Sequence, residues 1–423
     1  MAMSRVGKGG RVLTKKIIAL IALFLASAAA VILIVAPNIA QKSDIDNNSG
    51  QVDNGQEKQP ESEPEPIDLV KEQLDAMTLD EKVAQLLIVE NKGQIISETD
   101  ITRLKTAPYG GYILMEGNYS TLTNTRAFVE ELQNNAKTQL IISTDHEGGL
   151  VQRIAKITDR SATYIPDMYR LGSTKNEGLA REVGRIMAEE MRTIGINVDF
   201  APDADVFSNP YNPVIGNRSF SEDSQVVARM SAALAAGMES NGVVATYKHF
   251  PGHGDTATDS HLSLPIINRT RAELDACDLI PFKYAIQNGA KIIMTGHIAL
   301  PNVTGDNTPA TLSKKINVDI LRTELGYDGL IVSDGMNMGA LVNNYPESEI
   351  YYQAINAGID MLILPSNPEL AMQTIKQNVP EERIDEAVYR ILKFKRTYLE
   401  NYEYLDASYF GSTEHAQVVQ RIP

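Results

Sequence analysis

Val243-Val-Ala-Thr-Tyr-Lys248-His-Phe-Pro-Gly-His-Gly-Asp-Thr-Ala-Thr-Asp-Ser-His261 joins a short apolar run to an irregular segment crowded with titratable groups. Three of the chain's six histidines, His249, His253 and His261, fall in it, together with Asp255 and Asp259. Pro251, Gly252 and Gly254 exclude a regular helix or strand after the apolar run. The pattern predicts a buried strand that ends in a functional loop. A surface turn with incidental polar residues is the plainer reading, but turns rarely concentrate His and Asp in this way.

The same grammar repeats on both sides of this stretch. Apolar runs at Gly110–Met115, Gln139–Ser143, Ile196–Pro202, Lys291–His297, Asp328–Asp334 and Met361–Leu364 read as strands. Amphipathic segments at Thr121–Lys137, Glu177–Thr193, Asp223–Ser240, Ala272–Asn288, Val318–Leu325, Glu349–Ala357 and Glu382–Tyr398 read as helices, with a break or new start at Pro281. Thr78 and Glu81 stand in capping-box spacing and open a further helix or turn. Strands alternating with helices mean βαβ units and a parallel sheet. Seven or eight such units, with no Gly-rich dinucleotide turn and no P-loop, predict a single TIM-like (β/α)8 barrel over residues 67–400, followed by a tail at 401–423.

Residues 1–16 are basic, with Arg5, Lys8, Arg11, Lys15 and Lys16 and no acid. Residues 17–36 are apolar apart from Ser27, long enough for a transmembrane anchor. The basic flank predicts the N-terminus inside and the barrel outside the cytoplasm. A cleaved signal segment, which would leave the enzyme secreted, is the alternative. Residues 37–66 hold little apolar material and read as a disordered linker. The net charge of −15 argues against a nucleic-acid partner. The single cysteine, Cys277, allows neither an intramolecular disulfide nor a thiolate cluster, and reads as a packing residue. A monomer is expected.

Asp145, Asp203, Asp205, Lys248, His249, His297 and Asp334 all follow apolar runs. In a parallel barrel those ends share one face, where active sites lie. Asp334 is a nucleophile or base candidate, with capping of the next helix as its plainer role. Lys248 and His249 are neighbours, and extended chain would point them to opposite sides. Asp259 and His261, two apart, can share one side of a loop as an oriented acid–base pair. His249, His253, Asp255 and His261 could instead hold a metal, although their spacing matches no standard zinc pattern. The expectation is that no metal and no other cofactor is used.

Lys248-His-Phe-Pro-Gly-His-Gly-Asp-Thr-x-x-Asp-Ser-His261 resembles the signature of the NagZ-type β-N-acetylhexosaminidases of glycoside hydrolase family 3. Met77–Leu86, Asp145-His-Glu-Gly-Gly-Leu-Val-Gln-Arg153, Asn217-Arg-Ser-Phe220 and Ile331-Val-Ser-Asp-Gly-Met-Asn-Met338 carry the likeness from about residue 70 to 400. The resemblance implies a retaining exo-β-N-acetylglucosaminidase acting on peptidoglycan-derived muropeptide fragments. Asp334 would be the nucleophile, His261 the acid/base, and Asp259 its orienting partner. Asp145, Arg153, Arg218, Lys248 and His249 would bind the terminal N-acetylglucosamine. Leu150 stands where the family pattern leads one to expect Arg, and Gly296 where it often has Ala. The other readings are a β-glucosidase or β-xylosidase of the same family, a metal-dependent hydrolase, and a glycan-binding protein without activity.

Overall fold

The structure is a computed structural model that describes residues 68–423. Ten strands are present: β1 (Leu87–Val89), β2 (Gly111–Ile113), β3 (Ile141–Thr144), β4 (His146–Gly148), β5 (Val151–Gln152), β6 (Val198–Asp199), β7 (Val244–Phe250), β8 (Ile292–Thr295), β9 (Leu330–Gly335) and β10 (Met361–Ile363). Eight of them close a barrel in the order β1-β10-β9-β8-β7-β6-β3-β2, while β4 and β5 form a separate hairpin. The seam is at β1, where Ile88 lies opposite Ile363 on one side and Gly111 on the other, both in parallel register. All three β1 residues are buried.

Helices alternate with the strands as the sequence predicts, and their ends follow local chemistry. Thr78 and Glu81 form the expected capping box at the helix Leu79–Gln85, and Ser97 with Asp100 forms another at Glu98–Thr106. The segment 272–288 divides at Cys277–Asp278 rather than at Pro281, which sits in the first turn of the second helix, Leu279–Gln287. Its missing N–H is harmless there, because first-turn donors have no intrahelical partner. Lys315–Glu324 is wider than an α-helix, and its last turn closes with the Leu325 N–H on the Ile320 carbonyl at 2.9 Å.

The segment after residue 400 packs along the helix Glu177–Ile194. The Tyr402 hydroxyl donates to the Ile196 carbonyl at 2.7 Å, and the Leu405 N–H donates to the Arg192 carbonyl at 3.2 Å. The short helix Thr413–Val419 then brings His415 into a buried pair of glutamates: Glu189 at 2.8 Å and Glu190 at 3.0 Å. The basic segment, the transmembrane or signal segment and the linker expected over 1–66 lie outside the described residues. Among the described residues no helix is long and apolar enough to cross a membrane.

Candidate active site

β7 continues past the expected Tyr247 and carries Lys248, His249 and Phe250 to the mouth. The expectation that Lys248 and His249 point apart is not met, since both line one cavity. Pairing with β8 shifts register between Tyr247 and Phe250. Such an irregularity breaks the two-residue alternation and re-aims side chains. The chain then bends back at Gly254, where a Cβ would come within 1.7 Å of the Val206 carbonyl oxygen. Only glycine allows that approach.

Lys248 is the centre of a buried charge cluster. Its Nζ lies 2.6 Å from Glu147 Oε1 and 3.1 Å from Asp145 Oδ1. Arg218, from the turn Gly216–Arg218, donates to both oxygens of Glu147 at 2.7 and 2.9 Å, in the two-point geometry that suits a guanidinium. Burial pushes the Glu147 carboxyl up, but Arg218 and Lys248 outweigh it and hold the group well below the carboxylate range. Burial alone would lower Lys248, but Glu147 and Asp145 raise it instead. Glu147 is thus the pivot of the cluster. Its motif, Asp145-His-Glu-Gly-Gly, does not mark that role. The available signal was the alternation Asp145-x-Glu147, which puts both acids on one side of an extended hairpin strand.

A second pair sits deeper. Asp205 Oδ2 is 2.7 Å from His249 Nδ1, and Asp205 also accepts the backbone N–H of His253 at 2.6 Å. Burial brings the His249 ring down to about 4, so it is neutral at physiological pH. Burial and then Asp205 push the carboxyl of neighbouring Asp203 well above the usual carboxylate range. Asp203 and Asp205 follow an apolar run, yet nothing in the sequence tied Asp205 to His249.

Asp334, on β9, faces the same cavity. Burial raises its carboxyl, but His249, His297, the Gly335 N–H at 2.7 Å and Lys248 overcome this and bring it to about 2. His297 lies behind it: Nε2 donates to the Gly335 carbonyl at 2.9 Å and Nδ1 meets the Thr311 hydroxyl at 2.7 Å. It therefore holds the strand end and does not line the cavity. His261 also lines the cavity, its Nδ1 2.8 Å from Asp259 Oδ1. Burial raises Asp259, but the His261 N–H and ring outweigh it and lower the carboxyl. The loop is tied to the turn after β9 by the Ala340 N–H on the Ser260 carbonyl at 3.0 Å and the Gly339 N–H on the His261 carbonyl at 3.2 Å.

The cavity measures about 350 Å³ and is lined by Asp145, Arg153, Arg218, Lys248, His249, His261 and Asp334. Asp259 stands behind His261 rather than on the wall. Arg153 reaches Glu116 at 3.6 Å, and its Nε is buried without a partner. A larger cavity of about 560 Å³ lies beside the N-terminal ends of β8 and β9, where Arg390 and Glu386, two of its charged lining residues, pair with each other. The proposed metal set does not converge. His253 spends both ring nitrogens on Thr256 (2.9 Å) and Ser260 (3.1 Å), and Asp255 pairs with Arg269 at 3.0 Å.

A closed parallel barrel whose mouth gathers carboxylates, cations and imidazoles around one small cavity defines the class of barrel enzymes with the active site at the C-terminal ends of the strands. The model of the glycosyl hydrolase family 3 N-terminal domain matches residues 78–394, and the chain belongs to glycoside hydrolase family 3. It is a glycoside hydrolase. It is 35% identical over 291 residues to a β-hexosaminidase of Nitrosospira multiformis, covering 67% of this chain and 81% of that one. It is 37% identical over 295 residues to a β-hexosaminidase of Tolumonas auensis, covering 68% and 85%. The solved family 3 β-N-acetylglucosaminidase of Paenibacillus sp. superposes with a TM-score of 0.76 at 35% identity, covering 82% of this chain and 68% of that one.

Proposed function

We propose that the chain is a retaining exo-β-N-acetylglucosaminidase that removes terminal non-reducing N-acetylglucosamine from peptidoglycan-derived fragments. The observation that carries this reading is the shared cavity of Asp334 and His261: one an ionised, half-buried carboxylate, the other an imidazole oriented by a carboxylate. Asp334 attacks the anomeric carbon while His261 Nε2–H protonates the glycosidic oxygen. The C–O bond breaks, the aglycone leaves as an alcohol, and a glycosyl-Asp334 ester remains. The now neutral imidazole then takes a proton from water as its oxygen attacks the same carbon and frees Asp334. Two displacements restore the starting configuration. An imidazole suits both proton transfers because its ordinary pKa lies near neutrality.

Lys248, Asp145, Arg218, His249 and Arg153 offer donors and acceptors to sugar hydroxyls from the cavity wall. A small cavity closed below by the barrel suits removal of one terminal sugar at a time. The basic and apolar segments at 1–16 and 17–36 support an extracytoplasmic enzyme anchored in the cell membrane, or secreted if that segment is cleaved. Protease shaving of intact spheroplasts tests this, and protection of the barrel would exclude it.

The deciding experiment is mass mapping of the adduct formed with a slow fluorinated β-N-acetylglucosaminide. The label is expected on Asp334, and a label elsewhere would remove the assignment. Asp334→Ala should lower kcat about 10⁴-fold or more on a chromogenic β-N-acetylglucosaminide, as loss of a covalent nucleophile does. Parallel assays with the β-glucoside and β-xyloside separate the other activities of the family, and exhaustive chelation with retained turnover separates a metal-dependent hydrolase.

A further inference from the structure

The four most exposed large hydrophobic side chains among the described residues are Leu150 at 99%, Ile95 at 87%, Tyr211 at 86% and Leu262 at 71%. Single exposed apolar residues are ordinary on protein surfaces. Here all four occur in segments that leave the C-terminal ends of barrel strands: β1, β3, β6 and β7. They therefore lie on the mouth face, where a glycosidase meets its polar substrate. Three adjoin the cavity wall in sequence. Leu150 is the hairpin tip next to Val151, Leu262 follows His261, and Tyr211 is three residues from Val214, and Val151, His261 and Val214 all line the cavity. The backbone carbonyl of Leu262 accepts Asn343 Nδ2 at 3.1 Å, which fixes the loop while its side chain stays in solvent.

We propose that Leu150, Leu262 and Tyr211 form the leaving-group subsite, and that it selects aglycones presenting an apolar surface. This rests on the reading of Asp334 and His261 as the reacting pair. If His261 protonates the glycosidic oxygen, the aglycone lies on the outward side of His261, beside Leu262. The terminal sugar occupies the charged cavity, and the group beyond the scissile oxygen meets the apolar rim. The Leu150 side chain is 99% exposed, so an apolar aglycone displaces no protein contact by settling on it. Burial of alkyl groups against these side chains is favourable in proportion to the area removed from water.

The test compares methyl and octyl β-N-acetylglucosaminides below the micellar range, since both release primary alcohols of similar acidity. The full chain should show a kcat/KM about tenfold or more higher for the octyl glycoside, as burial of a few methylenes implies. The ratio should fall to about twofold in Leu150→Ser/Leu262→Ser and persist in Leu150→Met/Leu262→Met, because the latter keeps the apolar area. Tyr211→Ser alone should lower it in part. A ratio near one in the unsubstituted chain overturns the subsite, and a ratio unchanged in the serine variant overturns these residues as its makers. A dimer that dissociates in the serine variant would make the rim an interface between copies and overturn it too. Turnover of neither glycoside would overturn the N-acetylglucosaminidase reading, and the subsite with it.

Discussion

At the scale of single residues, Glu147 has the largest share in holding the cavity together. Among the described residues it is the one carboxylate that meets both Lys248 and Arg218. Replacing one partner of a buried pair leaves the others desolvated and uncompensated. Glu147→Gln should therefore lower unfolding stability by about 3 kcal/mol in chemical denaturation. KM for an aryl β-N-acetylglucosaminide should also rise about tenfold, because Lys248 and Arg218 lose the charge that orients them. A variant with wild-type stability and KM would deny Glu147 this role. Asp334, Asp145, Lys248 and His249 were legible because each ends an apolar run. The role of Glu147 and the pairing of Asp205, itself legible as a residue that follows an apolar run, were not, because both depend on partners contributed by distant elements: Arg218 for one and His249 for the other.

At the scale of elements, the helix Thr413–Val419 is held by one imidazole between two glutamates. Burial lowers the His415 ring, but hydrogen bonds and charge from Glu190 and Glu189 reverse this and raise it. Arg185 bridges Glu189 and Glu414, so the cluster also contains a permanent cation. A raised folded pKa means that the folded state binds the proton more tightly than the unfolded one. The resulting stabilisation is full below about 6.5, the unfolded value, and is lost as pH rises through the folded value. Amide-exchange protection of residues 413–419, corrected for intrinsic rates, should fall between pH 6 and 9. His415→Gln should remove that pH dependence, and protection that rose with pH would contradict the sign.

Element reading from the sequence succeeded where periodicity was long, as in 177–194, which Asn176 caps, and 381–398, which follows Pro380. It missed β1 because Leu87–Val89 follows the helix Leu79–Gln85 almost directly, and the apolar run from Val83 to Val89 has only Gln85 to interrupt it. It missed the β4–β5 hairpin because two- and three-residue strands carry too little alternation to register. The turn there depends on Gly148 and Gly149, both at positive φ (95° and 56°), which side-chain pattern does not reveal.

At the scale of the whole molecule, closure depends on the strand that was hardest to see. Ile88 is buried, and its backbone lies in register with both β10 and β2, so its place in the core bears on both neighbours at once. Ile88→Ala should cost about 2–4 kcal/mol in urea unfolding, within the usual range for core truncation. Because the site is a seam, exchange protection should fall in both β2 and β10 while β7 and β8 are little affected. Loss confined to β1 would mean that the barrel does not depend on this contact for closure.

The chain's six histidines also differ in how far reagents can reach them. His146, His249, His253, His297 and His415 are buried, whereas the His261 side chain is 64% exposed. The structure thus gives the protein a single addressable imidazole. Diethyl pyrocarbonate, used at low excess, should add one acyl group per chain, on His261, with activity lost in step with labelling and restored by hydroxylamine. Occupying the cavity with N-acetylglucosamine should slow the modification. The enzyme could then be titrated, tagged or switched off at one atom without unfolding it.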